Sequence, residues 1–183
     1  MKILVVSGCS GVGKDTILNK LMEHRGDMKK LVSYTTRGIR PGEKPGLDYI
    51  FLNTHEEFHQ LVKENRLLET IFYDKEWRGT QRPDEKDDKT IQFYNVEPNG
   101  MLKIREFYPD AVTVFIAPPS REHLMERMRN RKETEEKIAE RMATVDNIMS
   151  YADRYDYVVV NDDLNTAVRK ILNIIESEFD DIH

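Results

Sequence analysis

One stretch carries most of the chemical information in this sequence: Gly8-Cys9-Ser10-Gly11-Val12-Gly13-Lys14-Asp15-Thr16. Glycines at these intervals let the backbone close around an anion, so that successive N–H groups and a following helix N-terminus can face phosphate oxygens. Lys14 would reach the outer phosphates as a point charge. The pattern Gly-x-x-x-x-Gly-Lys is complete, but Asp15 stands where a Ser or Thr normally follows the lysine. A second group is Arg37 and Arg40, three apart in a loop rich in Gly and Pro, which can converge on one anion as planar forks. A third is the segment 121–151, dense in Arg and Glu.

These groups need elements to position them. The apolar run Ile3 to Val6 leads into the glycine-rich turn, and Ile17-Leu18 with Leu21-Met22 begins an amphipathic helix after it. Strand, turn and helix together are the context a phosphate-binding loop requires. Val112 to Ala117 and Tyr157 to Val160 read as further buried parallel strands, and Ile91 to Val96 as a fourth. Helical patterns cover Asn99 to Phe107 and Asp162 to Phe179. Strands alternating with helices predict an α/β fold around a parallel central sheet. From Leu31 to about Asp88 the alternation stops. Thr54-His55-Glu56-Glu57 predicts a capping box opening a short helix, Leu67 to Tyr73 a strand, and the whole a small inserted subdomain. The segment 121–151, with a thin apolar stripe of Ile138, Met142, Val145 and Met149, reads as a solvated helical pair or a lid.

Composition narrows the function. At 183 residues, 39% hydrophobic and 33% charged, the chain can bury a real core as one domain. Its net charge of -5 argues against a nucleic-acid partner, so any phosphate ligand must meet locally clustered arginines. One cysteine provides no disulfide framework and suits a reducing, cytoplasmic setting. The apolar start is too short for a membrane span or signal peptide.

Ser33-Tyr34-Thr35-Thr36-Arg37, Arg40-Pro41-Gly42-Glu43 and Gly46-Leu47-Asp48-Tyr49-Ile50-Phe51 resemble the guanylate kinase family. The resemblance continues in order through Glu69, Gly79-Thr80, Phe115 to Ser120, Arg131 to Glu136, Arg141 and Val159 to Leu164. It implies a P-loop nucleoside-monophosphate kinase in three parts. These are a core at about 1–32, 89–124 and 152–183, a GMP-binding subdomain at about 33–88, and a lid at about 125–151. The implied reaction transfers the γ-phosphoryl group of ATP to GMP, and by extension dGMP, with Mg²⁺ as cofactor.

The resemblance also assigns residues. Gly8, Ser10, Gly11, Gly13, Lys14, Asp15 and Thr16 would hold ATP, with Asn161 near the adenine and Asp15 beside the metal. Arg37, Arg40 and Tyr49 would grip the GMP phosphate, joined by Arg78 and Gly79. Ser33, Glu69, Thr80 and Glu97 match positions that read guanine, whose neighbouring N1–H and amine donors suit a carboxylate. Arg127, Arg131 and Arg141 match lid arginines that, with Lys14 and Arg37, neutralise charge on the transferring group. Arg121 and Arg129 read as solvated helix pairs. Cys9, where the family commonly has proline, reads as a passive small residue, or as a thiol activated by the helix N-terminus.

Four departures stand out: Asp15; Asn95, in place of the first aspartate of an Asp-x-Asp whose second is Glu97; Arg78, in place of a tyrosine; and a shortened, charged segment after Gly79. Asp15 and Asn95 suggest a compensating exchange of one carboxylate near the metal. Two alternatives remain open at this level. One is a catalytically silent guanylate-kinase-like binding module, and the other is a related kinase for another deoxynucleotide or for ribose bisphosphate.

Overall fold

Lys2–Gly8 forms β1, the middle strand of a five-stranded sheet in a computed structural model that describes residues 1–180. β1 is flanked by β7 (Ile91–Asn95) and β8 (Val112–Ala117), both parallel to it, and β9 (Tyr157–Val160) continues parallel to β8. The short β2 (Met28–Lys30) lies at the other edge. Ile3 to Val6, Phe93 and Val114 to Ile116 are almost wholly buried, as expected of strands covered on both faces. Register pairs Val6 with Asn95 and Gly8 with Ile116. The carboxyl ends of these strands therefore finish side by side where the strand order switches across β1, the usual place for a ligand in an open α/β sheet.

Five helices belong with this sheet: α1 (Lys14–His24), α3 (Pro98–Phe107), α4 (Arg121–Asn130), α5 (Glu135–Met149) and α6 (Leu164–Phe179). The expected helices and strands of the core are present, with ends shifted by a residue or two. The segment 121–151 is not a solvated pair. Leu124 and Met128 of α4 and Ile138, Met142 and Val145 of α5 are buried in the same cluster as Leu4, Val6 and Ile171. Capping fixes where each helix starts: Ser120 Oγ accepts from His123 N (3.1 Å) and Thr134 Oγ1 from Lys137 N (3.4 Å). A stripe of one apolar residue per turn is enough to dock a helix when the charged residues pair outside it. Arg121 pairs with Asp146, and Arg129 Nε with Glu135 Oε1 at 2.9 Å. These bonds join one helix to the next, and are not pairs along one helix.

Residues 30–88 form a separate compact unit, and residues 2–29 with 89–180 form the larger one. The smaller unit is a four-stranded sheet, ordered β4 (Ile50–Phe51), β3 (Tyr34–Thr35), β6 (Glu76–Gln81), β5 (Leu67–Tyr73), with α2 (His55–Lys63). Thr54 Oγ1 accepts from Glu57 N (3.2 Å), and Glu57 Oε2 accepts from Asn53 N (2.8 Å), so the cap reaches back one residue further than a capping box. The unit's core is Tyr34, Phe58, Leu61 and Leu67, with Trp77 stacked on Phe58 at 5.3 Å. β5 and β6 are joined by Asp74-Lys75, both at positive φ, a turn whose twist suits a tight hairpin. No helix among the described residues is long and apolar enough to cross a membrane.

Candidate active site

Gly8 ends β1 at φ +150, and a Cβ there would lie 2.2 Å from the Ile116 carbonyl oxygen of β8. Gly13, at φ +100, is the N-cap of α1, and its Cβ would come within 2.8 Å of Asn161 Nδ2. Only glycine fits either position. Between them the chain loops over the start of α1, whose first N–H groups have no side-chain cap and are free to meet an anion. Lys14 Nζ donates to Gly8 O (2.7 Å) and Cys9 O (3.0 Å) and so closes the loop from inside. Burial holds its amine below the ordinary lysine range, while Asp15 and the other negative neighbours pull it back. The Cys9 thiol is fully buried, and desolvation raises its pKa. It is a packing residue and not an activated nucleophile.

Three hollows surround this loop. One of about 590 Å³ is lined by Gly8, Ser10, Lys14, Asn95, Glu97 and Arg141. A second, about 380 Å³, faces Lys14, Asp15, Thr16, Arg131, Glu133 and Arg141. The third, about 320 Å³, lies between Gly13, Thr16, Arg127, Asn130, Arg131 and Asn161. Gly8, Ser10, Gly11, Gly13, Lys14, Asp15, Thr16, Asn161, Glu97, Arg131 and Arg141 thus gather at the carboxyl edge of the central sheet.

Arg127 is placed differently from the other two lid-position arginines. Its guanidinium donates to Val12 O (3.0 Å), Asn161 O (2.8 Å) and Asp162 O (3.3 Å), clasping the phosphate loop to the turn after β9. Asn161, 3% exposed, adds Nδ2 to Val12 O at 2.7 Å, and its buried Oδ1 has no partner. Sequence reading missed Glu133. Its carboxylate accepts from Arg141 Nη1 at 2.9 Å and so aims that arginine into the hollow. Eight residues and a helix start separate the two, a spacing with no periodic signature.

Asn95 Nδ2 donates to Asp15 Oδ1 at 2.8 Å, so the two positions singled out as departures are in direct contact. Among the described residues, no group of three or more His, Cys, Asp or Glu side chains is placed to hold a metal ion.

The smaller unit holds the rest. Arg37, 9% exposed, lies with its guanidinium over the rings of Tyr49 (4.9 Å) and Phe51 (5.6 Å) and pairs with Glu43. That pairing holds the Glu43 carboxyl down at about 2. Arg40 is exposed in the same loop, and its backbone N–H also donates to Glu43 (2.8 Å). Thr80 Oγ1 donates to Glu69 Oε1 at 3.1 Å across β5 and β6. Gly79 is buried, and a Cβ there would press on Leu67 Cδ1 at 2.7 Å. Arg78 stands opposite Thr35, its Nε buried without a partner, and Ser33 immediately precedes β3.

The model of the guanylate kinase family matches residues 1–178. The chain belongs to the guanylate kinase family. The guanylate kinase of Oceanobacillus iheyensis is 40% identical over 182 residues, covering 96% of this chain and 87% of that one. That of Legionella pneumophila (strain Lens) is 36% identical over 179 residues, covering 94% and 84%. The crystal structure of guanylate kinase from Anaplasma phagocytophilum superposes with a TM-score of 0.70 at 31% identity, over 98% of this chain and 87% of that one.

Proposed function

We propose that this guanylate kinase family member transfers the γ-phosphoryl group of ATP to the phosphate of GMP, giving ADP and GDP, and accepts dGMP as well. The observation that carries the reading is the phosphate loop with Lys14 beneath it and Arg131 and Arg141 lining the hollow above α1. The acceptor is already an oxyanion, so no strong general base is needed. Catalysis is the alignment of two highly charged groups and the neutralisation of their charge. The loop's N–H groups and Lys14 hold the donor phosphates, while Arg131 and Arg141 face the region where the transferred group develops charge. Arg127 and Asn161 act by keeping the loop in shape beside the adenine-side hollow. In the smaller unit Arg37, Arg40, Tyr49 and Arg78 take the acceptor phosphate. Ser33, Glu69 and Thr80 read guanine there.

Mg²⁺ fits this donor set. One carboxylate, Asp15, with one oxygen already taken by the Asn95 amide, is the modest protein contribution expected of an ion held by nucleotide phosphates and waters. When bound, Mg²⁺ neutralises phosphate charge. Helix α5, carrying Arg141, together with α4 is the segment read as the lid that excludes water from the transfer. The same reading places the protein in the cytoplasm.

The test is ADP release from Mg-ATP with GMP, dGMP, AMP, CMP, UMP and dTMP as separate acceptors. Turnover restricted to GMP and dGMP is expected. Preference for another nucleotide would show that Arg78, Asn95 and Glu97 had redirected the pocket, and no turnover by folded protein would overturn the kinase reading.

A further inference from the structure

Arg37 has five N–H donors; three meet carbonyl or carboxylate oxygens, and the Tyr49 side chain also lies against the guanidinium. Nη1 donates to Gly38 O (2.8 Å) and to Glu43 Oε2 (2.8 Å), and Nη2 donates to Glu43 Oε1. The end-on edge of the guanidinium is therefore filled by one carboxylate. What remains is the side-on edge, made of Nε–H and the second Nη2 hydrogen, and Nε is buried with no partner. A guanidinium that is itself nine-tenths buried and keeps an unmet donor is an incomplete site. Arg78, opposite Thr35 and two residues from Arg37 in that register, leaves its Nε in the same condition.

Glu43 also organises the loop around Arg37. Its Oε2 accepts from Arg40 N at 2.8 Å, and its own N–H donates to Arg40 O at 3.1 Å, which closes the turn 40–43. One carboxylate thus fixes the rotamer of Arg37 and the backbone that carries Arg40. We propose that Glu43 is a positioning residue for the acceptor phosphate. It occupies the end-on edge of Arg37 and so leaves the side-on edge, whose Nε has no partner within the protein, for two oxygens of a phosphomonoester. Bidentate geometry matters because an arginine held at one edge loses less freedom when the other edge binds. This inference rests on the reading of the smaller unit as the acceptor-binding part.

Glu43→Gln keeps the shape and removes the charge. The measurements are KM for GMP and for ATP, GMP titration followed by the fluorescence of Trp77, the only tryptophan, and the thermal midpoint. Loss of a charge-assisted bond predicts a rise in GMP KM and Kd of roughly tenfold or more. The ATP KM should stay within about twofold, while the thermal midpoint should fall, because Glu43→Gln takes the charged partner from a largely buried guanidinium. Glu43→Asp, which keeps the charge on a shorter stem, should fall between wild type and Glu43→Gln. An unchanged or lower GMP KM would overturn the proposal, the lower value marking Glu43 as a competitor for the phosphate. So would a parallel rise for both nucleotides. Wild-type turnover with GMP separates the two levels: if it is present and Glu43→Gln leaves GMP binding intact, only this inference fails. If folded wild type phosphorylates nothing, the functional reading fails and takes the inference with it.

Discussion

The contact between Asn95 and Asp15 turns an oddity of sequence into a quantitative prediction. The amide of Asn95 donates to the carboxylate at 2.8 Å. Replacing Asn95 with Asp removes that donor and sets two carboxylates against each other. At about 3 Å two like charges repel by about 1.4 kcal/mol in water, and the lost bond to an ionised acceptor is discounted to about 1 kcal/mol because Asp15 is exposed. Rotation of the exposed side chain relieves part of this, so Asn95→Asp is expected to cost about 1–2 kcal/mol. At about 2–4 °C per kcal/mol for a chain of this size, the thermal midpoint of the nucleotide-free protein should fall by about 2–8 °C. Asp15→Ser alone loses the bond but gains no repulsion. The double variant restores one carboxylate facing one donor, and should recover most of both losses in midpoint and in Mg-ATP Kd. A coupling of about 1–2 kcal/mol is expected, well above the ~0.3–0.5 kcal/mol within which distant, independent sites add. A double variant no better than the sum of the singles would refute the exchange.

Arg127→Met removes three bonds to backbone carbonyls that hold the phosphate loop, and should cost about 1.5–3 kcal/mol in urea unfolding and raise ATP KM more than it lowers kcat. A loss confined to kcat would instead make Arg127 a group acting on the transferring phosphate. Gly13→Ala meets both positive φ and the 2.8 Å approach to Asn161, so a loss of roughly 1–3 kcal/mol with weakened ATP binding is expected from calorimetric titration. Arg25 bridges Asp27 and Asp180, and its hydrogen bonds depress both carboxyls. Depressed folded-state values mean that this stabilisation is complete above the ordinary aspartate range and is lost as pH falls through the folded values. Both aspartates are more than a third exposed, so the contribution stays below about 1 kcal/mol. Unfolding free energies measured from pH 7 down to pH 3 should therefore fall less steeply for Arg25→Met than for wild type.

Much of the larger unit was legible in the sequence because its signals are local. A buried apolar run, glycines that tolerate positive φ, and a lysine before an amphipathic helix are each readable within a dozen residues. The docking of α4 and α5 was not, since Arg and Glu dominate the composition and only burial reveals which few side chains face the core. β6 was also obscured: its partner β5 is joined by Asp74-Lys75, a pair that gives no strong turn signal yet adopts positive φ at both positions. Arg127 illustrates the limit for site residues. Sequence position groups it with Arg131 and Arg141, but only the three-dimensional structure shows its long-range bonds to Val12 and Asn161. Glu43 and Glu133 were invisible as partners of arginines for the same reason, because side-chain pairing across loops follows three-dimensional geometry and leaves no spacing rule.

The most direct test of the account is to quantify GDP and ADP together from Mg-ATP and GMP, for wild type and for Lys14→Met. Equal amounts of GDP and ADP from wild type, with both lost in the folded variant, are predicted. ADP accumulating without GDP, or GDP formation that survives the loss of Lys14, would contradict phosphoryl transfer to GMP at this loop.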